Sequence, residues 1–318
     1  MANDLTDYIN ARRLGIKEYS SYISQGRNGY LPFLDGILKN IDIVSELDLG
    51  IVDIPLRKIK GTYSYLRSIS FARNYMPLME PDTEFAVKWQ HVYDIQNGEG
   101  LRDAIKVYEY LNWFYVVEGN KRVSVLKYMD VYSFHGSVTR LIPKYDENDK
   151  DIRLYYEFLE FNKKTGINDI WLSNESGFEQ LWEIIKDYKP KNPMADYADR
   201  FKYFSTAVYN MFRQAFYKVG GNTLPITTGD AFLDYIKIYG TNEEDYIEDA
   251  LEQRIWRLMA EFKFYSGPEK VDVQQSPEFK TEKGFIGRLT HRTRTDRLKE
   301  GFAHATDRSS SWTYSHEL

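Results

Sequence analysis

The chain has 318 residues, 42% of them hydrophobic and 28% charged, with a net charge of −5; it can bury a core and is long enough for more than one domain, and its charge argues against a whole-surface nucleic-acid binder. It contains no cysteine, which excludes disulfides, thiolate metal sites and cysteine nucleophiles. The opening MANDLTDYINARRLGIKEYS carries acids and arginines where a secretory signal carries an apolar run, and no segment is apolar enough to span a bilayer, so the expected location is cytoplasmic.

In chain order, Leu5, Tyr8, Ile9, Ile16, Tyr19 and Ile23 recur at helical spacing and close at Gly26. A turn around Gly29 and Pro32 leads to a short helix from Asp35 to Leu38, completing an N-terminal helical segment over residues 1–49 that ends in a polar link. Residues 50–56 alternate like a strand, with Pro55 marking an edge or an end. The stretch 61–74 mixes hydroxyls with Arg67 and Arg73, the chemistry of an anion-binding loop. A helix is expected over 83–97. Two β-rich runs, 104–110 and 113–117, flank Leu111-Asn112 and predict a tight hairpin. The second run enters Glu118-Gly119, a helix follows from Asn120 to Met129, and a strand from 133 to 142. Residues 50–145 therefore read as β-loop-α-β-β-α-β, a small α/β domain.

Beyond residue 146 the pattern is helical, with helices expected over 150–163, 175–188, 196–219, 227–240 and 243–262 in a domain spanning 146–265. The stripe Tyr197, Phe201, Phe204, Tyr209, Phe212 and Phe216 has the spacing of a core face. Residues 266–279 are polar, with Pro268 and Pro277, and read as a linker. Residues 280–308 hold eight Lys and Arg against four acids, a local charge of +4; without interleaved aromatics they read as a solvated linker rather than a nucleic-acid contact. The fold class is thus α+β: a small α/β domain, an all-helical domain, and a partly unstructured C-terminal tail over 266–318.

Function concentrates on Glu118-Gly119-Asn120-Lys121-Arg122. A helix that starts at a glycine turn presents unpaired N–H groups and about half a positive charge to an anion. Lys121 and Arg122 oppose that dipole, at a cost of up to about 1 kcal/mol each, which suggests an anionic ligand. On these five residues alone, a plain turn with solvated side chains reads equally well. His91, His135, His291, His304 and His316 share no metal-ligand spacing, so no metal site is expected.

The ordered set Val52-Asp53-Ile54-Pro55, Gly61-Thr62 with Arg67 and Arg73, and Tyr115-Val116-Val117-Glu118-Gly119-Asn120-Lys121-Arg122-Val123-Ser124-Val125-Leu126 resembles the ParB/sulfiredoxin superfamily over about residues 50–145. The resemblance implies a nucleotide-phosphate turn formed by Gly119 and Arg122, with Asn120 and Lys121 between them and Arg67 and Arg73 completing the pocket. Its ligand would be a nucleoside triphosphate with Mg²⁺. Asn120 stands where sulfiredoxins place the catalytic cysteine and where ParB proteins place a glutamate, so sulfiredoxin chemistry is not implied. A second resemblance joins Gly15-Ile16-Lys17-Glu18-Tyr19, Phe71-Ala72-Arg73-Asn74-Tyr75-Met76-Pro77-Leu78 and the 117–127 motif to the N-terminal region of bacterial basic membrane protein (BMP) family ABC-transporter substrate-binding proteins. There, Gly301 to Leu318 would begin a domain that binds purine nucleosides. The expectation is a nucleotide-binding regulatory or sensing module, with a homodimer among its partners. The rival readings are a kinase or nuclease of the same fold, with Glu118 and Asp103 as nearest catalytic candidates, and a DNA-associated clamp.

Overall fold

A computed structural model describes residues 4–191 and 196–263, so the expectations for the 266–318 tail lie outside the described residues. The first helix, α1 (Thr6–Ser24), buries Tyr8, Ala11, Gly15 and Tyr22. Gly15 is needed for close approach, since a Cβ there would meet the Pro77 carbonyl oxygen at 2.5 Å. A one-turn helix, α2 (Leu34–Leu38), follows.

The sheet has five strands, β1 (Ile43–Pro55), β2 (Ile59–Thr62), β3 (Ile105–Tyr110), β4 (Trp113–Glu118) and β5 (Ser133–Pro143), in the order β1-β5-β3-β4-β2. Antiparallel pairs β1–β5 and β3–β4 alternate with parallel pairs β3–β5 and β2–β4. The hairpin expected at Leu111-Asn112 is present, with both residues at positive φ (50° and 61°), the conformation of a type I′ turn. Two expectations need correction. The polar link before residue 50 belongs to β1, which starts at Ile43; register shifts between Ile43 and Ser45 and between Asp48 and Ile51 break the period-2 pattern that marks a strand. Gly61 and Thr62, expected in a loop, form the end of β2, a strand too short to show a pattern.

Between β2 and β3 lie the one-turn helix α3 (Tyr65–Ser68) and α4 (Glu84–Gly98), the latter capped by Thr83, whose side chain accepts from the Ala86 N–H. Helix α5 (Asn120–Tyr128) packs on α4, where Trp89 donates to Ser124 Oγ at 2.8 Å. Tyr8, Ala11, Met76, Ala86, Trp89 and Val125 form one apolar cluster that joins α1, α4 and α5 over the sheet. At the end of α5, Lys127 donates from Nζ to the Ile59 carbonyl at 2.8 Å, and burial pushes its ammonium down to about 7.

The helical part comprises α6 (Lys150–Thr165), α7 (Gly177–Ile185), a helical run of α8 (Arg200–Tyr203), a π-helical segment (Phe204–Tyr209) and α9 (Asn210–Lys218), then α10 (Thr228–Tyr239) and α11 (Glu248–Lys263). Its core is aromatic: Phe201, Phe204, Tyr209, Phe212 and Phe216 of the expected stripe are buried, whereas Tyr197 is exposed. None of the described helices is long and apolar enough to cross a membrane.

Two devices fasten this part to the sheet. Glu109 of β3 and Arg140 of β5 form a buried ion pair in which the Arg140 fork also donates to Asn162 Oδ1 (3.1 Å) and Asn168 Oδ1 (2.9 Å), while Tyr155 donates to Glu109 (3.1 Å). Lys58, between β1 and β2, lies with its ammonium 4.4 Å from the Trp113 ring centre and 4.2 Å from that of Trp171. Burial, with Arg57 and Lys60 nearby, pushes Lys58 down to about 7; the two indole faces act against that shift because they favour a cation.

Arg140→Ala is expected to lower the unfolding free energy by about 3–5 kcal/mol, because it strands a buried carboxylate. Denaturant melts of the Glu109→Gln/Arg140→Met double variant should recover much of the loss; no recovery would mean that buried charge is not the cause. The second expectation concerns pH. The folded pKa of Lys127 lies below its unfolded value, so between about pH 7 and 10 the unfolded chain holds a proton that the folded chain has released. Stability should therefore rise with pH there, by up to about 1.4 kcal/mol per pH unit, and Lys127→Met should reduce the slope of that rise in thermal melts.

Candidate anion-binding cleft

Strand β4 ends at Glu118, and Gly119 turns the chain into α5 with φ at +105°. The glycine is required twice over: its φ lies in the left-handed region, and a Cβ would meet Ile105 Cγ2 at 2.7 Å and the Arg122 side chain at 3.2 Å. The first bond of the helix runs from the Val123 N–H to the Gly119 carbonyl (3.0 Å), which leaves the N–H groups of the first turn without intrahelical acceptors.

That turn opens on a cavity of about 250 Å³ lined by Arg67, Ser70 and Phe71 on one side, Phe85 and Val92 of α4 on another, and the run from Val117 to Arg122. The structure thus brings Arg67 to the same cleft as Gly119, Asn120, Lys121 and Arg122. It does not bring Arg73, whose guanidinium stacks 4.8 Å over the Tyr22 ring and reaches toward the Asn28 carbonyl at 3.5 Å. Arg73 sits after the turn at Phe71-Ala72, which points it at α1.

The residues of the turn divide into different roles. Asn120 is buried: its Oδ1 lies 3.0 Å from the Tyr75 hydroxyl, which donates to the Gly61 carbonyl at 2.8 Å. Its side-chain oxygen therefore ties α5 to β2. Arg122 is partly committed, since Nη1 donates to the Asp103 (2.5 Å) and Ala104 (3.0 Å) carbonyls and Nη2 stands 4.0 Å from Glu118 Oε1. Asp103 enters through its carbonyl, not its carboxylate. Glu118, the one acid among the lining residues, is exposed and pairs with Lys106 at 3.1 Å.

Lys121 and Arg67 differ from these. Lys121 lies with Nζ 4.3 Å from the Phe85 ring centre, and its ammonium is pushed down by burial and by the positive charges of Arg67 and Lys88, with Glu84 opposing. Neither the Lys121 nor the Arg67 side chain makes a hydrogen bond or ion pair among the described residues. The cleft therefore concentrates positive charge that its own walls do not neutralise. By contrast, a larger depression of about 410 Å³ near Tyr188 and Asn242 has matched charges: Lys191 pairs with Glu244 at 2.8 Å, and the Tyr188 hydroxyl donates to Glu243.

Ser70, Phe85 and Lys88 also belong to the site's surroundings. Ser70 carried a signal, as part of a hydroxyl-rich stretch beside Arg67. Phe85 and Lys88 carried none, because only the packing of α4 against α5 brings them to the turn. No group of three or more His, Asp or Glu side chains that could hold a metal ion occurs among the described residues. Compared with protein-family models and with curated proteins, the chain matches none.

Proposed function

We propose that this chain is a binding module for a nucleotide or related nucleoside phosphate, with the phosphates held by the first turn of α5 together with Arg67 and Lys121. The observation that carries the reading is a pair of cations, Arg67 and Lys121, that make no side-chain hydrogen bond or ion pair among the described residues and line one cavity at the N-terminus of a nine-residue helix. An anion there offsets the burial and the charges of Arg67 and Lys88 that lower the Lys121 pKa, accepts from open N–H groups and meets the helix dipole. The cavity, about 250 Å³, is below the roughly 300–1,000 Å³ typical of pockets that enclose a drug-sized ligand, so the phosphate end enters and sugar and base lie toward the rim. The resemblance to ParB/sulfiredoxin domains supports a nucleotide over other phosphates, and the resemblance to BMP-family proteins supports a sensing role beside a nucleoside-binding domain. With bound Mg²⁺, the metal would be carried by the phosphates, and Glu118 is the one lining carboxylate able to approach it.

Calorimetry with a panel of nucleoside triphosphates and Mg²⁺ tests this reading. Arg67→Ala and Lys121→Ala should each weaken binding by about 1.5–3 kcal/mol, a factor of roughly 10 to 150, without lowering the melting temperature. Arg122→Ala should weaken binding and also destabilise the fold, because it frees the Asp103 and Ala104 carbonyls. Unchanged affinity in both of the first two variants would sink the site assignment. Steady release of product from the bound nucleotide, abolished in Glu118→Gln with binding retained, would replace the binder by an enzyme.

A further inference from the structure

The opposite end of the sheet presents a different surface. Strand β1 is thirteen residues long, against about 5–6 for a typical strand, and its one neighbour among the described residues is β5. Along its outer edge the backbone N–H and C=O groups stand ready to pair with another chain. Edge strands are commonly guarded by lysine, proline or a bulge. Here Ile43–Pro55 contains no basic residue and its proline is the last position; register shifts interrupt it between Ile43 and Ser45 and between Asp48 and Ile51, with regularly paired stretches over 45–48 and 51–55.

The side chains of this strand mix two chemistries: pairing with Leu141, Thr139, Ser137 and His135 puts Glu46, Asp48, Ile51 and Asp53 on one face of the sheet, and pairing with Arg140 puts Leu47 on the other. Val44, Leu47 and Ile51 are 58%, 48% and 59% exposed. Beside them stand Glu46, Asp48 and Asp53, and neither Glu46 nor Asp53 makes an ion pair or side-chain hydrogen bond among the described residues. Asp48 holds the bulge by accepting from the Gly50 N–H at 2.8 Å. Charges that served only to repel another strand would leave no reason for three exposed aliphatic side chains beside them. A second copy of β1 would bring acid against acid, which disfavours self-pairing.

We infer that the free edge of β1 is a docking site for an extended, arginine-rich segment of a partner polypeptide, added as a sixth strand. Main-chain bonds to the edge supply the affinity. Arginines of the incoming strand meet Glu46 and Asp53, and its aliphatic side chains cover Val44, Leu47 and Ile51.

The test uses the full chain and a labelled synthetic peptide of arginine and valine, with the arginines spaced to meet Glu46 and Asp53 and valines at the other positions. Fluorescence anisotropy should show binding, and hydrogen exchange should slow at the amides of β1. A glutamate–valine peptide should not bind, and the Glu46→Lys/Asp53→Lys variant should weaken the arginine peptide at least tenfold. Methylating alternate backbone nitrogens of the peptide should abolish binding, because it removes the donors that pair with the strand. Arg67→Ala should bind the peptide as the parent does, which separates this surface from the anion cleft. The inference is overturned by absence of binding, by equal binding of the methylated peptide, by protection away from β1, or by self-association of the unliganded chain through this edge.

Discussion

The Glu109–Arg140 pair is the constraint from which much of the architecture follows. It joins the two central strands, β3 and β5, where they run parallel, and it is buried on both sides. A buried charge pair is stable only when its remaining donors and acceptors are also met. Glu109 accepts from Tyr155 and from the Asn112 N–H (2.7 Å), and Arg140 donates to Asn162 and Asn168. These four partners come from three features: Asn112 from the β3–β4 hairpin, Tyr155 and Asn162 from α6, Asn168 from the loop after it. The pair consequently fixes the hairpin turn and the seating of the helical part in one network, and the Arg140 guanidinium lies 5.2 Å from the Phe158 ring centre as part of the same seat.

From the hairpin the geometry passes to the cleft. Strand β4 is held between β3 and β2, so the point at which Gly119 turns the chain is set by both neighbours. Tyr75 adds a cross-brace, bonding to Gly61 at the end of β2 and to Asn120 at the start of α5. The N–H groups of α5 are thereby aimed before any ligand arrives, and Arg67, three residues after the N-cap of α3, lines the same cleft. Preorganisation of this kind lowers the ordering cost of binding.

The sequence made the local features legible and hid those that depend on distant partners. Leu111-Asn112 announced a hairpin because few turns accept positive φ at two successive residues, and Gly119-Asn120-Lys121-Arg122 announced a helix start because glycine, then polar residues, then Val123 and Leu126 follow the helical period. Strand β1 was half missed because its bulges and its exposure leave polar residues where alternation would place apolar ones. The division of labour within the turn was also invisible. Asn120 looks like a ligand-binding residue, yet it faces Tyr75, a contact set by a residue far along the chain. Arg67 and Arg73 are chemically equivalent in the sequence, and only the turn at Phe71-Ala72, with its bridges to Tyr30 and Pro77, sends one to the cleft and the other to Tyr22.

The strand order also places unneutralised charge of opposite sign toward the two ends of the sheet. Cations gather where β4 meets α5, next to the β2 edge, and acids line β1 at the other edge. Three strand spacings separate β1 from β4, about 14 Å at 4.7–4.9 Å each, whereas charges at a surface are screened over about 8 Å at physiological ionic strength. The two surfaces are therefore electrostatically independent at such salt concentrations, and an anion held by Arg67 and Lys121 does not weaken the field along β1. Coupling between them would have to pass through the packed strands, and the strands that intervene are β5 and β3, the two clamped by Glu109 and Arg140. Any linkage between the ligands proposed for the cleft and for the β1 edge therefore runs through that buried pair and the strands it joins.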